Sequence, residues 1–411
     1  MENLLVLLLA LVWGFIFLDR LAIAFLTPEL VNVFHMSNTQ IGQIMLTTTL
    51  AYSASAISLT SYIDRKIGSR IGLAVLVILT SVFAGASAMS GTFSTLLVFR
   101  VLTGACEGPI FPLMMAILFR HSSPGRYAVN VGFVGAGVVI ICLTLGPIAV
   151  THIAAIFDWK AAFILSCLPS LLLGFAVFFF LRHDAIPGDE PEADEKSGGF
   201  RQRIADTVST LLVRNVWLSV VVCTLTLSGM WMGYTFGPLY WVKIGNLSTE
   251  KMGSLASISG FFQIIWVIGI PIASNYIGRR AAAILFLGLA AAQMLSLYFV
   301  GPSTTTTTMY VLLGGVAGSA TTLFMALLSV ESVPPRLAAT ASSLIMGTGE
   351  ILGGAVAPMV AGAYADRLGL PVVLFIGGAC LAMGAVVSIF FKETRAPRRA
   401  KSSTALTASI K

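Results

Sequence analysis

Residues 101–126 read VLTGACEGPIFPLMMAILFRHSSPGR, and 210 residues later residues 311–336 read VLLGGVAGSATTLFMALLSVESVPPR. Val101-Leu102 falls on Val311-Leu312, Gly104 on Gly314, Gly108 on Gly318, and Met115-Ala116 on Met325-Ala326. Leu118, Ser122, Pro124 and Arg126 fall on Leu328, Ser332, Pro334 and Arg336. The same shift lays Gly68 on Gly278 and Arg70 on Arg280; a shift of 211 lays Ser37 on Ser248 and Gly42 on Gly253. Two apolar helices match easily by accident, but loop Pro, Gly and Arg residues recurring at one offset do not. The chain reads as two parallel repeats, an arrangement suited to alternating access around a midplane site.

Around this repeat lie 411 residues, 57% hydrophobic and only 10% charged. Soluble domains carry about 25% charged residues, so a soluble enzyme is excluded. Apolar runs long enough to span a bilayer number twelve. They lie at roughly 4–30, 39–62, 71–90, 93–119, 127–151, 161–181, 215–242, 251–277, 281–300, 306–332, 337–363 and 370–391. With the N-terminus inside, nineteen of the 25 Lys and Arg fall on inner segments. Four (Lys160, Lys243, Lys251, Arg367) fall on outer segments and two (Arg20, Arg100) within spans. That asymmetry follows the positive-inside rule, with both termini cytoplasmic in a cell (inner or plasma) membrane. The net charge of +7 is therefore read as orientation, not as nucleic-acid binding. Met1-Glu2-Asn3 offers no basic n-region, and no small-residue cleavage site follows, so a removed signal peptide is not expected.

The expected fold class is an all-α membrane protein with twelve transmembrane helices in two pseudo-symmetric six-helix bundles. Residues 1–181 form the N-terminal bundle, 182–214 a cytoplasmic linker, 215–391 the C-terminal bundle and 392–411 a basic cytoplasmic tail lying on anionic lipid. The linker holds an acidic run, Asp189–Glu195, read as solvated, and a short surface helix from Phe200.

Charges inside the spans are the informative residues: Asp19, Arg20, Arg100, Glu107 and Glu350. Each costs several kcal/mol at bilayer depth unless paired or hydrated, so each is a functional candidate. Arg100 and Glu107 are two helical turns apart and share a face with Gly104 and Gly108. Asp19 and Arg20 diverge by about 100° on a helix, so they need not pair with each other. An ion pair that merely fixes helix register is the competing reading, strongest for Arg100. Glu29 and Glu331 lie near span ends and read as interfacial. His35, His121, His152 and His183 fall in or beside loops, which leaves proton relay to carboxylates. Cys106, Cys142, Cys167, Cys223 and Cys380 all sit in apolar runs without metal-ligand spacing and read as small core residues. There is no GxxxxGK[ST] loop, HExxH, nucleophile elbow or Cys/His cluster, so no cofactor, no metal and no enzyme activity are expected.

Ser61-Tyr-Ile-Asp64-Arg65-Lys66-Ile-Gly68-Ser-Arg70 resembles the GxxxDRxGRR loop of the major facilitator superfamily, and Ser274-Asn275-Tyr-Ile-Gly278-Arg279-Arg280 its second copy. Ser61 replaces the leading glycine, one extra residue separates Asp64 from Gly68, and Asn275 replaces the acid. The resemblance implies a gating role for Asp64, Arg65, Gly68, Arg70, Gly278, Arg279 and Arg280; topology alone is the plainer reading. Within that superfamily three segments are similar to the anion:cation symporter family. They are Asp19-Arg20, the helix-4 run Arg100-Val-Leu-Thr-Gly104-Ala-Cys-Glu107-Gly108-Pro109-Ile-Phe-Pro112 (RxxxGxxEGxxxP), and Gly237-Pro238-Leu-Tyr240 (WxPxY with Gly for Trp).

The resemblance and the charges together imply a monomeric secondary transporter for a small organic anion, a carboxylate, and protons. Arg20, Tyr52, Tyr234 and Tyr240 are assigned to substrate, and Asp19, Glu107, Arg100 and Glu350 to proton coupling. Two buried arginines face three carboxylates, so an entering anion adds negative charge and favours proton uptake; the two bindings then help each other. The alternatives are a drug/proton antiporter, of whose GPxxGG signature only Gly146-Pro147 is present, and a non-transporting membrane sensor. Span 5 from Tyr127 to Gly137 is poor in polar side chains, which points to a sparsely hydroxylated acid.

Overall fold

Ser37 and Ser248, aligned by the repeat, each cap a helix: the Ser37 hydroxyl accepts from the Gln40 amide and the Ser248 hydroxyl from that of Lys251. Gly68 and Gly278, also aligned, take φ of 87° and 95°, and a helix begins directly after each. A side chain is strained in that backbone region.

The computed structural model describes residues 2–123, 125–180, 207, 209–334 and 337–394. These hold α1 (Glu2–Phe34), α2 (Asn38–Ser58), α3 (Ser69–Met89), α4 (Phe93–His121), α5 (Val129–Ile156) and α6 (Trp159–Phe180). The second set is α7 (Arg214–Lys243), α8 (Thr249–Ile277), α9 (Arg279–Phe299), α10 (Thr304–Glu331), α11 (Thr340–Leu368) and α12 (Val372–Phe390). The described residues are helical without strands, in the expected fold class. Pro124, Arg336, the acidic run, the helix proposed from Phe200 and the tail from Arg395 lie outside them.

Eleven of these helices are long and apolar enough to cross a membrane. The twelfth, α2, is more polar. Its hydroxyls are spent on its own backbone: Thr47 on the Gln43 carbonyl at 2.8 Å, Thr48 on that of Ile44 at 2.7 Å, Ser58 on that of Ala54 at 2.7 Å. It stops at Ser58, and a separate short helix, Thr60–Lys66, follows where one continuous span to residue 62 was expected. α4 is interrupted at Gly108-Pro109.

Two helices carry matching irregularities. α5 widens to π geometry over Val138–Leu145, just ahead of Pro147; α11 does so over Glu350–Val356, just ahead of Pro358. Proline cannot donate to the carbonyl four residues back, which loosens the ladder there.

The halves meet along two seams built of glycine. A Cβ on Gly42 (α2) would stand 2.8 Å from the Pro358 carbonyl oxygen of α11; one on its repeat partner Gly253 (α8) would stand 2.8 Å from that of Pro147 in α5. By the same measure Gly362 meets the Asn38 carbonyl and Gly260 that of Leu143. Hydrogen bonds joining the halves cluster at this end. Asp366 accepts from the Asn38 amide (2.7 Å), the Thr39 amide (2.9 Å) and the Thr39 hydroxyl (2.5 Å), and His152 lies 3.1 Å from Glu250.

At the opposite end the residues near the helix ends bond within their own halves. Asp64 takes Ser69 and, at 3.3 Å, Arg120; Arg70 donates to the Phe178 carbonyl and lies over its ring. Arg279 pairs with Glu331 at 2.8 Å, and Glu393 accepts the backbone amides of Arg279 and Arg280 at 2.8 and 3.0 Å. Glu331 is thus an ion-pair partner as well as a span-end residue.

Candidate functional site

An arginine in an apolar helix needs partners that other helices must bring. Arg20 of α1 is 5% exposed, and its Nη2 donates to Thr49 Oγ1 of α2 at 3.0 Å. Its guanidinium carbon lies 5.0 Å from the Tyr52 ring centre and 5.0 Å from that of Trp231. Phe17 adds a third ring at 5.8 Å. Tyr52 belongs to the first half and Trp231 (α7) to the second, so Arg20 is held between the halves. Cation–π contact of this kind stabilises a weakly hydrated guanidinium.

Glu107 of α4, fully buried, faces this group with Oε1 at 3.7 Å from Arg20 Nη1. That is ion-pair range but beyond a hydrogen bond. Among the described residues neither Glu107 oxygen nor Arg20 Nε has a hydrogen-bond partner. Glu350, at the start of the α11 π segment, approaches from the other half. A Cβ built on Gly354 would lie 2.8 Å from Glu350 Oε2 and 3.0 Å from Trp231 Nε1, so both groups converge over that glycine. The central constellation is one guanidinium, two carboxylates and three rings.

Asp19 and Arg100 take a different place. Asp19 points away into the first half, where its Oδ2 accepts from Ser170 of α6 at 2.6 Å. Arg100 donates to Ser87 Oγ (2.6 Å), to the Ala84 carbonyl (3.1 Å) and to the Asp19 backbone carbonyl (3.1 Å). It ties α1, α3 and α4 together. The seven-residue spacing places Arg100 and Glu107 on one helix, yet Glu107 goes to Arg20 on another.

Tyr234 and Tyr240 lie further into the second half. Tyr234 OH donates to Gln263 Oε1 at 3.2 Å, and its ring meets that of Trp231 at 6.1 Å. Tyr240 is buried with its hydroxyl spent on the Leu297 carbonyl at 2.7 Å. Both line a cavity of about 80 Å³. Thr49, Trp231 and Gln263 were not singled out from the sequence; Thr and Trp are ordinary in such helices, and only the packing of α1 on α2 and α7 gives them their place.

The sequence pattern of the Major Facilitator Superfamily matches residues 8–358. Over 166 residues the chain is 28% identical to the hexuronate transporter of Bacillus subtilis, a match taking in 40% of this chain and 39% of that protein's length. Over 403 residues it is 26% identical to the probable sulfoacetate transporter SauU of Cupriavidus necator, covering 91% of this chain and 90% of that one. Among solved structures, the D-xylose-proton symporter shares the fold at 16% identity, with a TM-score of 0.72 over 96% of this chain and 99% of that one.

Proposed function

The chain belongs to the Major Facilitator Superfamily, and from that premise we propose that it moves a small organic anion together with a proton by alternating access. The observation that carries this reading is Arg20, clamped between Tyr52 and Trp231 with Nε unbonded and Glu107 beside it. A guanidinium of the first half lying against a ring of the second is a counter-charge placed where both halves reach a bound anion. A carboxylate arriving there competes with Glu107 for Arg20. Glu107, losing its cationic neighbour in a buried place, then favours taking a proton. Glu350 is a second acceptor across the interface. The relatives bearing the names hexuronate and sulfoacetate transporter support an anionic cargo.

With the orientation given by the basic residues, the end latched by Asp366 faces outward. The described state is then open toward the cytoplasm. The pairs Asp64–Arg120 and Arg279–Glu331 near the helix ends are read as gate elements that re-form across the halves in the opposite state. The same reading makes the working unit a monomer in the bilayer.

Uptake of a panel of labelled carboxylic acids into proteoliposomes tests it. At least one acid is expected to accumulate above equilibrium when the outside is acidic, and to stop at equilibrium without the pH gradient. Accumulation driven by sodium alone, or by no gradient, rejects proton symport.

A further inference from the structure

Gly137 of α5 lies on the Ala10 carbonyl of α1, an approach that a Cβ would block. Along this contact the two helices leave a groove of about 550 Å³ on the outer face of the first half. Leu7, Phe133 and Ile140 on its walls are exposed and apolar. Its polar residues, Asn3, Arg126 and Asn130, all stand at one end. From Arg126 to Ile141 a helix rises about 22 Å, and the hydrocarbon of one bilayer leaflet is about 15 Å deep. The groove is therefore long enough for one acyl chain. It ends on Ile140 and Ile141, in the π segment whose Leu143 carbonyl receives Gly260 of α8, so it adjoins the seam between the halves.

The polar end carries a charge to spare. Arg126 Nη2 donates to Asn3 Oδ1 at 2.8 Å, and Nη1 lies 3.6 Å from Glu2 Oε2, beyond a hydrogen bond. Glu2 is satisfied without it. Its carboxylate accepts from the Ser123 amide at 3.2 Å, the Ser123 hydroxyl at 2.5 Å and the Asn130 carboxamide at 2.7 Å. The Arg126 side chain is 48% exposed and keeps N–H groups for another acceptor. The helix that runs into α5 begins directly after it at Tyr127, and no side chain caps that first turn. Its free amides and dipole favour an anion at the same place.

We propose that the groove binds one acyl chain of an anionic glycerophospholipid, with the phosphate on Arg126 and the first turn after it. The apolar walls suit any lipid chain, and the guanidinium selects the anionic headgroup. The cytoplasmic leaflet supplies the lipid if the orientation read from the basic residues holds; the site itself does not depend on it.

The full-length protein in detergent is mixed with dioleoylphosphatidylglycerol, dioleoylphosphatidylcholine or glycerol 3-phosphate, and native mass spectrometry measures what each chain retains. One phosphatidylglycerol is expected to persist under collisions that strip phosphatidylcholine, and glycerol 3-phosphate is not retained. Arg126→Gln should lower the phosphatidylglycerol affinity about fivefold and erase the preference. Ala136→Phe, whose ring enters the groove, should lower retention of both lipids. Glu2→Gln removes only the competing charge and should keep or raise the preference. If Arg126 merely ties down the N-terminus, Glu2→Gln copies Arg126→Gln instead. Arg126 is half exposed, so Arg126→Gln is expected to fold and carries the test even where Ala136→Phe does not. Equal retention of the two lipids, a preference that survives Arg126→Gln, or a folded Ala136→Phe protein that retains both lipids unchanged overturns the proposal. Retained glycerol 3-phosphate would mark a free-phosphate site and overturn the lipid assignment. None of these outcomes bears on the transport reading.

Discussion

Among the described residues Arg20 has one hydrogen bond, one ion-pair contact at 3.7 Å and three rings, a poor set for a group that is costly to bury. If substrate completes it, as proposed, Arg20→Ala should lower affinity for the transported acid at least a hundredfold by calorimetry. Arg20→Lys should lose about tenfold, because the planar fork is gone. Glu107→Gln fixes the protonated form. The variant should exchange internal for external substrate at near wild-type rate yet fail to concentrate it under a pH gradient. Exchange and accumulation falling together, with a lowered melting temperature, would mark Glu107 as structural instead. Arg100 differs in kind, since its donors end on backbone carbonyls and Ser87. Arg100→Met should cost about 2 kcal/mol or more of stability in urea or thermal unfolding, with substrate affinity in the surviving fold unchanged. The charges themselves were legible in the sequence because ionisable groups are rare in apolar runs. Their pairing was not, because it depends on how α1, α4 and α7 are rotated against one another. Asp366 and Glu393 escaped notice, and Glu331 was read only as interfacial, for the opposite reason: acids near span ends are common, and only the fold shows which backbone amides or arginines they meet.

α5 and α11 are the elements on which the halves lean, and each pairs a π segment with a proline and receives a glycine from the other half. The repeat made this legible in outline, since Gly42 and Gly253 align at one offset. The π widening was hidden, as the runs before Pro147 and Pro358 have ordinary helical composition. Side chains at the seam glycines act as wedges in the described state and are harmless once the seam parts. Gly260→Ala should therefore move the population about tenfold toward the state open at the Asp366 end. Alkylation rates of single cysteines placed at the two ends read this out, and unchanged rates would mean that the seam yields in place.

For the whole molecule the two ends are held differently. Asp366 holds the tip of α2 through two peptide amides and a hydroxyl. Asp64, in the short helix Thr60–Lys66 at the far end, is bonded within its own half. Asp366→Asn should open the first end and Asp64→Asn should favour the state open at the second, so the two substitutions are expected to shift cysteine accessibility in opposite directions. No shift from Asp64→Asn would reduce that residue to a determinant of topology. The glycine seams give this machine a thermodynamic character of their own. Side chains pressed together on closure forfeit rotamer freedom, which for long residues approaches ~2 kcal/mol each. Backbone laid on backbone at Gly42, Gly260 and Gly362 has no rotamers to freeze. Closure of the seams therefore freezes few side chains, and the ordering entropy at that end is confined to contacts such as Asp366–Thr39 and His152–Glu250.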